Sequence, residues 1–344
     1  MSSVPLSARV AAPISLDAPA AIGGITWRPA SIQDAPAIHA CEKALAVADH
    51  PRHTMRLAEI DEKLTASYVD PELDSIVAID EQGVVRAWGI ALLLPSQETL
   101  VRCRLVGGVA PSHRGRGIGR VLLAWLRDRG LQRLASTQST LPGWLVVPVD
   151  GAADQTQRLC ARLGFTVART FLELARSLSD AVEAGSLDGL AIEQFSPERS
   201  EATRLADIDA FRDHWASQPT TEQEWRSMVD GDTFRADLSF VAVGTDDQGG
   251  EVVAGLVMAT VNEEDWSGRG FSFVYIAIVG VPRSWRGRGI ANVLLARTLE
   301  SAAAAGLDYA ILDVDSENPS GALRLYTNLG FQPSNSTLTY TSEY

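Results

Sequence analysis

A glycine-rich segment flanked by arginines occurs twice in the chain, each time between an apolar, strand-like run and an amphipathic helix. The first copy is Val109–Gly119, VAPSHRGRGIG, and the second is Val281–Ala291, VPRSWRGRGIA. A helix that follows such a turn presents backbone N–H groups without intrahelical acceptors at the positive end of its dipole. Arginines add charge-assisted donors for phosphate oxygens. A lone copy would also fit a surface turn or an RNA contact, but the duplication favours a phosphate or pyrophosphate site.

A second segment that could do chemistry is Asn318–Phe331, NPSGALRLYTNLGF. Asn318 before a proline fits the N-cap of a helix over Pro319–Leu329, with Gly330 as its stop. Apolar residues recur at helical spacing, and Tyr326 belongs to that buried face. Tyr326 is therefore expected to point toward the sheet. The alternative to a functional tyrosine is a core tyrosine whose hydroxyl bonds a backbone carbonyl.

The repeat also predicts the domain boundaries. Arg114 and Arg286 are equivalent, and so are the LGF triplets that end at Phe165 and Phe331. We therefore expect four segments. These are a flexible tail over 1–22, an N-terminal domain over 23–178, a linker over 179–189 and a C-terminal domain over 190–344.

Each half has the same predicted order of elements, namely a strand, two helices, three strands, then a helix, a strand, a short helix and a closing strand. This order predicts an α/β fold with a mixed sheet and helices on both faces. The main predicted helices are Ile32–Ala48, Met55–Tyr68 and Gly117–Gly130 in the first half, and Arg199–Trp215, Glu222–Val229, Gly289–Ala305 and Pro319–Leu329 in the second.

Bulk properties narrow the class of protein. The chain has 344 residues, a net charge of −13 and 46% hydrophobic residues. The acidic balance argues against nucleic acid as the main partner, and no apolar run is long enough to span a bilayer. The three cysteines show no metal-ligand spacing, and the start of the chain lacks the pattern of a signal peptide. We expect a cytoplasmic protein that needs no metal and has no membrane partner.

Taken together, the two motifs resemble the GNAT superfamily of acyl-CoA-dependent N-acetyltransferases. Both turns match its Arg-x-x-Gly-x-Gly/Ala pattern in the same strand-to-helix context, and the resemblance extends from about Ile25 onward. It implies two tandem GNAT acyl-CoA N-acyltransferase folds that use acetyl-CoA as co-substrate. The implied cofactor-binding residues are Val279, Val281, Arg286, Gly287, Arg288, Gly289, Ile290, Ala291 and Asn318 in the second half, and Val109, Arg114, Gly115, Arg116, Gly117, Ile118 and Gly119 in the first.

The resemblance also implies a mechanism for the second half. The strand end at Val279–Val281 would pair with the pantetheine arm and polarise the thioester carbonyl, which an amine attacks directly. Tyr326 would protonate the departing thiolate, which is plausible for a phenol in a dry site. The first half departs from the family pattern, because Cys160 stands at the position of Tyr326 and Ala152 at that of Asn318.

Other assignments stay open from the sequence. Candidate bases for the amine proton are Glu263, Glu264, Asp313 and Asp315, each equally compatible with a solvated loop charge. Phe211, His214, Trp215 and Trp225 fit either a substrate wall or an aromatic core with a surface histidine.

We therefore expect an acetyl-CoA-dependent N-acetyltransferase that acts on a small-molecule amine in its C-terminal domain. A non-catalytic acyl-CoA sensor, or a protein or peptide N-acetyltransferase, is the alternative. The acceptor and the oligomeric state are not encoded in these patterns.

Overall fold

The computed structural model describes residues 4–49, 55–95, 97–180, 182–246, 248–318 and 321–344. The chain forms two compact units. Unit 1 comprises Met1–Thr170 with Ser336–Tyr344, and unit 2 comprises Phe171–Asn335. Among the described residues, none of the helices combines the length and the apolar character needed to cross a membrane.

The first half of the chain contains six helices and six strands among its described residues. In chain order these are α1 (Leu6–Arg9), β1 (Thr26–Arg28), α2 (Ala35–Asp49), α3 (Leu57–Thr65), α4 (Pro71–Asp74), β2 (Ser75–Ile79), β3 (Val85–Leu93), β4 (Val101–Val109), α5 (Ile118–Ala135), β5 (Gly143–Asp150), α6 (Asp154–Arg162) and β6 (Thr166–Ser177).

The sheet of unit 1 has the order β1-β2-β3-β4-β5 and is completed by the last strand of the chain. All neighbours are antiparallel except β4 and β5. One face carries α5 and α6, with Leu122, Leu126 and Cys160 in the core. The other face packs α2 and α3 against Trp88 and Ile90.

The second half repeats this architecture. Its elements are β7 (Ala191–Gln194), α7 (Ser200–Phe211), α8 (Glu222–Val229), β8 (Phe240–Thr245), β9 (Glu251–Thr260), α9 (Trp266–Arg269), β10 (Phe273–Gly280), α10 (Ile290–Ala304), β11 (Tyr309–Asp315), α11 (Ala322–Asn328) and β12 (Gln332–Glu343).

The sheet of unit 2 has the order β7-β8-β9-β10-β11 and is completed by the β6 segment from Phe171 onward. Only β10 and β11 are parallel. Alternate residues of β11 face opposite sides of the sheet. Leu312 and Val314 pack with Tyr326 in the core beneath α10 and α11. Asp313 and Asp315 therefore face the side that carries α7.

The mixed α/β sheet predicted from the sequence is confirmed, but the expected boundaries at 178 and 190 differ from the observed division. The sequence pattern assigns strand β6 to the N-terminal domain, whereas its residues 171–177 pair with β11 in unit 2. Residues 336–344, expected in the C-terminal domain, pair with β5 in unit 1. Strands β5 and β11 each pair with an antiparallel closing strand. The local sequence does not specify which of the two closing strands, β6 or β12, pairs with which.

The expected flexible tail over 1–22 is corrected for its described part, residues 4–22. Leu6 is fully buried, and its N–H donates to the Ser139 carbonyl at 2.8 Å. The Trp125 indole N–H donates to the Asp17 carbonyl at 3.2 Å. Alanine- and proline-rich composition suggests a loose segment, but a few apolar side chains and backbone hydrogen bonds hold it on the surface of unit 1.

Candidate functional site

The second glycine-rich turn connects β10 to α10. Gly287 and Gly289 have φ angles of +80° and +79°, which only glycine adopts readily. This left-handed backbone turns consecutive N–H groups outward. Within the described chain, the amides from Gly287 to Ala291 donate to no backbone carbonyl. They form a set of donors at the N-terminus of a 15-residue helix, which is suited to a pyrophosphate.

Arg286 fixes this turn in place. Its Nε donates to the Val281 carbonyl at 3.1 Å, and its Nη2 donates to the Ala210 carbonyl at 2.8 Å at the end of α7. Arg288 lies over the Trp285 ring at 4.6 Å. The motif predicts arginines that bond phosphate directly. In the structure the guanidinium of Arg286 bonds the end of β10 and the end of α7, and so supports the turn.

Strands β10 and β11 separate beside this turn. Their parallel register runs from Phe273 opposite Tyr309 to Tyr275 opposite Ile311 and is not continued beyond. On its other edge, β10 is bulged at Ala277, because Ile276 pairs with Ala259 and Ile278 with Met258. A bulge bends its strand. The result is a V-shaped gap between the two strands in which the β10 backbone is accessible to a ligand.

A cavity of about 360 Å³ occupies this gap, a volume typical of small-molecule sites. It lies within unit 2 and reaches both faces of the sheet, because Leu312 and Asp313 both line it. It brings together most of the site residues expected in the second half, whereas Arg288 is outside its lining. These lining residues are Val279, Val281, Arg286, Gly287, Gly289, Ile290, Ala291, Asn318 and Tyr326.

Tyr326 lies on α11 with 7% of its surface exposed. Its ring packs edge-on against Phe331, with the centroids 6.0 Å apart. Burial raises the pKa of the phenol to about 12. Unlike an ordinary core tyrosine, it forms no hydrogen bond through its hydroxyl to any described residue, and it lines the cavity. A neutral proton donor is therefore held at the gap between β10 and β11.

The helix that carries Tyr326 begins later than predicted. It spans Ala322–Asn328, and its N-cap is Gly321 with φ +77°. Asn318 is therefore not the N-cap; its N–H instead donates to the Asp315 carbonyl at 3.1 Å in a turn after β11. Pro319 and Ser320 lie outside the described residues. The Asn-Pro pair is a common helix start, but Gly321 in the left-handed region separates it from the helix.

The aromatic candidates divide into two groups. Phe211 and His214 line the cavity, with their rings 4.5 Å apart. Burial, and then the charge of Arg286, lower the pKa of His214, so its neutral form is favoured at neutral pH. Trp225 is 2% exposed in the core and donates to Ser200 Oγ at 2.9 Å. The substrate-wall interpretation therefore fits Phe211 and His214, and the core interpretation fits Trp225.

The four candidate bases differ in whether they line the cavity. Glu263 and Glu264 are exposed in a short turn before α9 and are not part of the cavity lining. Asp313 and Asp315 both line the cavity. Sequence reasoning missed Tyr275, whose hydroxyl donates to Asp313 Oδ2 at 2.7 Å. The signal was available only from the strand register, which places Tyr275 and Asp313 on neighbouring strands and the same face.

Unit 1 contains the first turn in the same form, with Gly115 at φ +74° and Gly117 at φ +83°. Cys160 occupies the position of Tyr326, is fully buried, and has a pKa raised by burial to about 12. Ala152, at the position of Asn318, lies in the turn after β5. The site residues expected in this half therefore form the turn, and a thiol stands where unit 2 has the phenol of Tyr326.

Two family profiles and several known proteins match the sequence of this chain. The profile described as "Acetyltransferase (GNAT) family" matches residues 201–331, and the profile described as "Acetyltransferase (GNAT) domain" matches residues 71–167. The mycothiol acetyltransferase of Tsukamurella paurometabola is 31% identical over 225 residues, covering 65% of this chain and 72% of that protein. That of Streptomyces avermitilis is 30% identical over 240 residues, covering 68% and 70%.

Solved structures show the same fold. A GCN5-related N-acetyltransferase from Sphaerobacter thermophilus superimposes with a TM-score of 0.70 at 24% identity, covering 96% of this chain and 97% of that one. A tandem GNAT protein from the clavulanic acid biosynthesis pathway gives 0.66 at 18% identity, covering 93% and 98%. The chain belongs to the GNAT acetyltransferase family. It is an N-acetyltransferase with two GNAT domains in tandem, as the sequence resemblance predicted.

Proposed function

We propose that the protein transfers the acetyl group of acetyl-CoA to a primary amine of a small molecule, and that the reaction takes place in unit 2. The observation that carries this proposal is the cavity between β10 and β11. It joins outward-facing turn amides, an accessible strand end and a buried phenol without a hydrogen-bond partner among the described residues. The relatives named mycothiol acetyltransferase make mycothiol-related amines the first acceptors to test.

The residues that line the cavity suit the parts of acetyl-CoA. A Cβ added at Gly287 would meet nothing within 4 Å, so the turn has room for a pyrophosphate on its outer side. The expected residues from Gly287 to Ala291 bind it through their amides. The pantetheine arm would be held by the backbone of Val279–Val281 and by Asn318 and Leu325, and the thioester would then be within reach of Tyr326.

The chemistry is acyl transfer by direct attack. The amine nitrogen forms a bond to the thioester carbon, and the carbonyl oxygen becomes an oxyanion that a fixed backbone N–H of β10 stabilises. The carbon–sulfur bond then breaks, and Tyr326 donates its proton to the thiolate. Because burial keeps the phenol protonated, the donor is in the required form at neutral pH.

The experiment is acetyl transfer measured on a panel of amines with the wild-type chain and Tyr326→Phe. The panel contains mycothiol-related amines, polyamines, amino-acid amides and a lysine peptide. We expect turnover of at least one small amine and a loss of about 100-fold or more in kcat for the variant. CoA affinity, measured by calorimetry, should change by less than about threefold.

The outcomes separate the alternatives. Tight CoA binding without transfer to any amine would favour an acyl-CoA sensor, and turnover confined to the peptide would favour a protein acetyltransferase. Unchanged kcat in Tyr326→Phe, with chemistry shown to limit the rate, would remove Tyr326 from the mechanism.

A further inference from the structure

A second group of polar side chains lies on the face of the unit 2 sheet opposite Tyr326. Tyr275 Oη donates to Asp313 Oδ2 at 2.7 Å. Glu173 stands opposite Asp313 in the register of β6 and β11. Arg269 donates to both oxygens of Glu173, at 3.2 Å and 2.8 Å, and the two side chains are 7% and 14% exposed, respectively. The charge of Glu173 is thus matched by a buried guanidinium.

Asp313 differs from Glu173 in its surroundings. It is exposed to the cavity, and its Oδ2 accepts a hydrogen bond from the neutral phenol of Tyr275. Burial and the charge of Asp313 raise the pKa of Tyr275 well above its usual value, so Tyr275 remains a donor. One carboxylate oxygen is therefore held by a fixed O–H, and this bond orients the group without neutralising its charge.

Resting on the proposed function, we propose that Asp313 binds the ammonium group of a cationic acceptor and takes its proton, and that Tyr275 is the residue that positions Asp313. The cavity connects this carboxylate to Tyr326 on the other face of the sheet. Tyr326 is buried and makes no hydrogen bond through its hydroxyl within the described chain. The two groups thus flank the gap, so that one can act on the attacking nitrogen and the other on the departing sulfur.

The protons balance across these two groups. An alkylammonium R–NH₃⁺ gives one proton to Asp313, which passes it to solvent, and the neutral amine attacks the thioester carbon. After attack the nitrogen carries one excess proton. Tyr326 protonates the departing thiolate and becomes a phenolate, which then receives that excess proton from nitrogen. The products are the amide, CoA thiol, one released proton and the original Tyr326.

Other groups near the cavity fit this role less well. Glu173 is held at both oxygens by Arg269 and also accepts from Ser334 Oγ. Asp315 accepts from the Glu317 N–H at 2.9 Å and so stabilises the turn after β11. His214 carries no negative charge to attract an ammonium, and burial, followed by the charge of Arg286, lowers its pKa. Asp313 differs from both carboxylates, because it lines the cavity and the group that orients it is a neutral side-chain hydroxyl rather than an arginine or a turn amide.

The negative charge of Asp313 indicates which class of acceptor would bind. Asp313 and Asp315 both project from the same face of β11 into the cavity, and Phe171 and Phe211 add apolar walls. A cationic amine on a hydrocarbon or aromatic body fits these walls. A carboxylate or phosphate next to the reacting nitrogen would be repelled. We therefore expect an amino-acid amide to be a better acceptor than the free amino acid.

The test uses Asp313→Asn in the full chain with two acceptors. An alkylamine is mainly ammonium at pH 7 and needs a proton acceptor, whereas an O-alkylhydroxylamine is already neutral and does not. We expect kcat/KM for the alkylamine to fall about 100-fold or more and that for the O-alkylhydroxylamine to fall less than about threefold. The alkylamine deficit should shrink as pH rises, because more of the amine becomes neutral without help.

Two variants test the positioning role. Tyr275→Phe should lower kcat/KM for the alkylamine by roughly tenfold, again sparing the neutral acceptor. Asp237→Asn, at an exposed ion pair with Arg235, and Tyr309→Phe, whose ring packs on Phe271, are matched controls that should leave both acceptors unchanged. His214→Asn should not reproduce the acceptor dependence of Asp313→Asn.

The result that overturns the inference is equal loss for both acceptors, or no loss, in Asp313→Asn while CoA binding stays intact. Acceptor-dependent loss in His214→Asn would transfer the role to that residue. These outcomes are distinct from failure of the proposed function, in which the wild-type chain would acetylate neither acceptor.

Discussion

The two halves of the chain have the same turn and different surroundings for it. Arg114 Nε donates to the Val109 carbonyl at 3.1 Å, and Arg286 Nε donates to the Val281 carbonyl at 3.1 Å. Beyond the turn the halves diverge. Strand β4 keeps an unbroken register with β3, whereas β10 is bulged against β9. The phenol beside the turn of unit 2 is replaced by the buried thiol of Cys160 in unit 1.

The two units also differ on the face of the sheet that carries Asp313 in unit 2. Aligning β5 with β11 at their terminal aspartates, Pro148 stands where Asp313 stands. The residue opposite Pro148 on β12 is Thr339, and the residue opposite Asp313 on β6 is Glu173. Arg104 takes the place of Tyr275, since each pairs with equivalent residues of the parallel strand, Val146 and Ile311.

The glycine-rich turn is present in both units and therefore does not by itself distinguish them. In both units its arginine bonds the strand end and so fixes the start of a long helix, which is a structural role independent of any ligand. In the proposed mechanism the reacting groups are the phenol of Tyr326 and the carboxylate of Asp313, and both lie in unit 2. The N-terminal domain can therefore lose them while keeping the turn that its fold uses.

The largest expected effect concerns β6, whose seven residues from Phe171 to Ser177 pair with all of β11. A fragment of residues 178–335 lacks this strand and leaves β11 as an open edge beside the cavity. We expect it to aggregate or to bind no CoA, whereas a fragment of residues 171–335 should show sheet content by circular dichroism and bind CoA.

Both fragments retain Val182 and Leu187, which pack on the core of unit 2, so the pair differs by β6 alone. Equal folding and equal CoA affinity of the two fragments would contradict the assignment of β6 to unit 2.

The next effect compares the two residues at the acid position. Tyr326→Cys makes unit 2 resemble unit 1 at this position. A thiol there would be buried like Cys160, whose pKa is about 12, close to that of Tyr326. Acidity would thus be nearly conserved while the donor atom moves back toward the helix. We expect kcat to fall about as far as in Tyr326→Phe, by about 100-fold or more, because proton transfer needs hydrogen-bond reach.

Cys160→Ala is the matched control and should leave kcat unchanged. It removes a buried sulfur from the core of unit 1, at a cost of about 1–2 kcal/mol in the free energy of unfolding. Substantial activity in Tyr326→Cys would show that acidity rather than reach sets the rate.

A smaller effect separates the two turns. Gly289→Ala places a Cβ at φ +79°, where an L-residue is strained by about 1–2 kcal/mol. We expect the turn to relax away from the binding geometry and CoA affinity to fall roughly tenfold in calorimetry. Gly117→Ala introduces similar strain in unit 1, since Gly117 has φ +83°, and should leave the affinity of the catalytic site unchanged.

Calorimetry of the wild-type chain also counts the CoA sites. The position of a Cβ at Gly117 lies 3.3 Å from Ile22 Cδ1, whereas at Gly289 the nearest atom is Leu187 Cδ2 at 3.9 Å. The turn of unit 1 is therefore the more covered of the two, and we expect one site per chain. A second site that disappears in Gly117→Ala would assign CoA binding to unit 1 as well.

Much of the fold could be predicted because its signals are local. The repeated turn placed α5 and α10 within a residue of their observed starts at Ile118 and Ile290. Helical spacing put Tyr326 and Cys160 on buried faces, where the structure has them. These features depend on periodicity and on glycine conformation, both of which a sequence expresses directly.

The remainder depends on which strands meet. The closing strands β6 and β12 each follow an LGF triplet, and pairing partners at long sequence separation leave no local trace. The bulge at Ala277 shifts the register of β10 against β9 by one residue, but it does not alter the spacing of the turn motifs along the sequence. Tyr275 and Asp313 therefore could not be paired from the sequence, although Asp313 was among the candidate bases. Asn318 failed as an N-cap for a related reason, since Gly321 redirects the chain before the helix begins.

The smallest expected effect concerns pH and tests the acid itself. Burial raises the pKa of Tyr326 to about 12, so the phenol stays protonated at every pH below about 11. The proton-donating form is lost only as pH rises through that value, not as it falls. The ratio of wild-type kcat to Tyr326→Phe kcat should therefore be constant within about twofold from pH 7 to pH 10. A neutral acceptor such as an O-alkylhydroxylamine keeps amine ionisation out of this measurement. A ratio that declines toward one between pH 8 and pH 10 would mean that Tyr326 ionises like an exposed tyrosine, and the dry site that distinguishes unit 2 in this proposal would have to be abandoned.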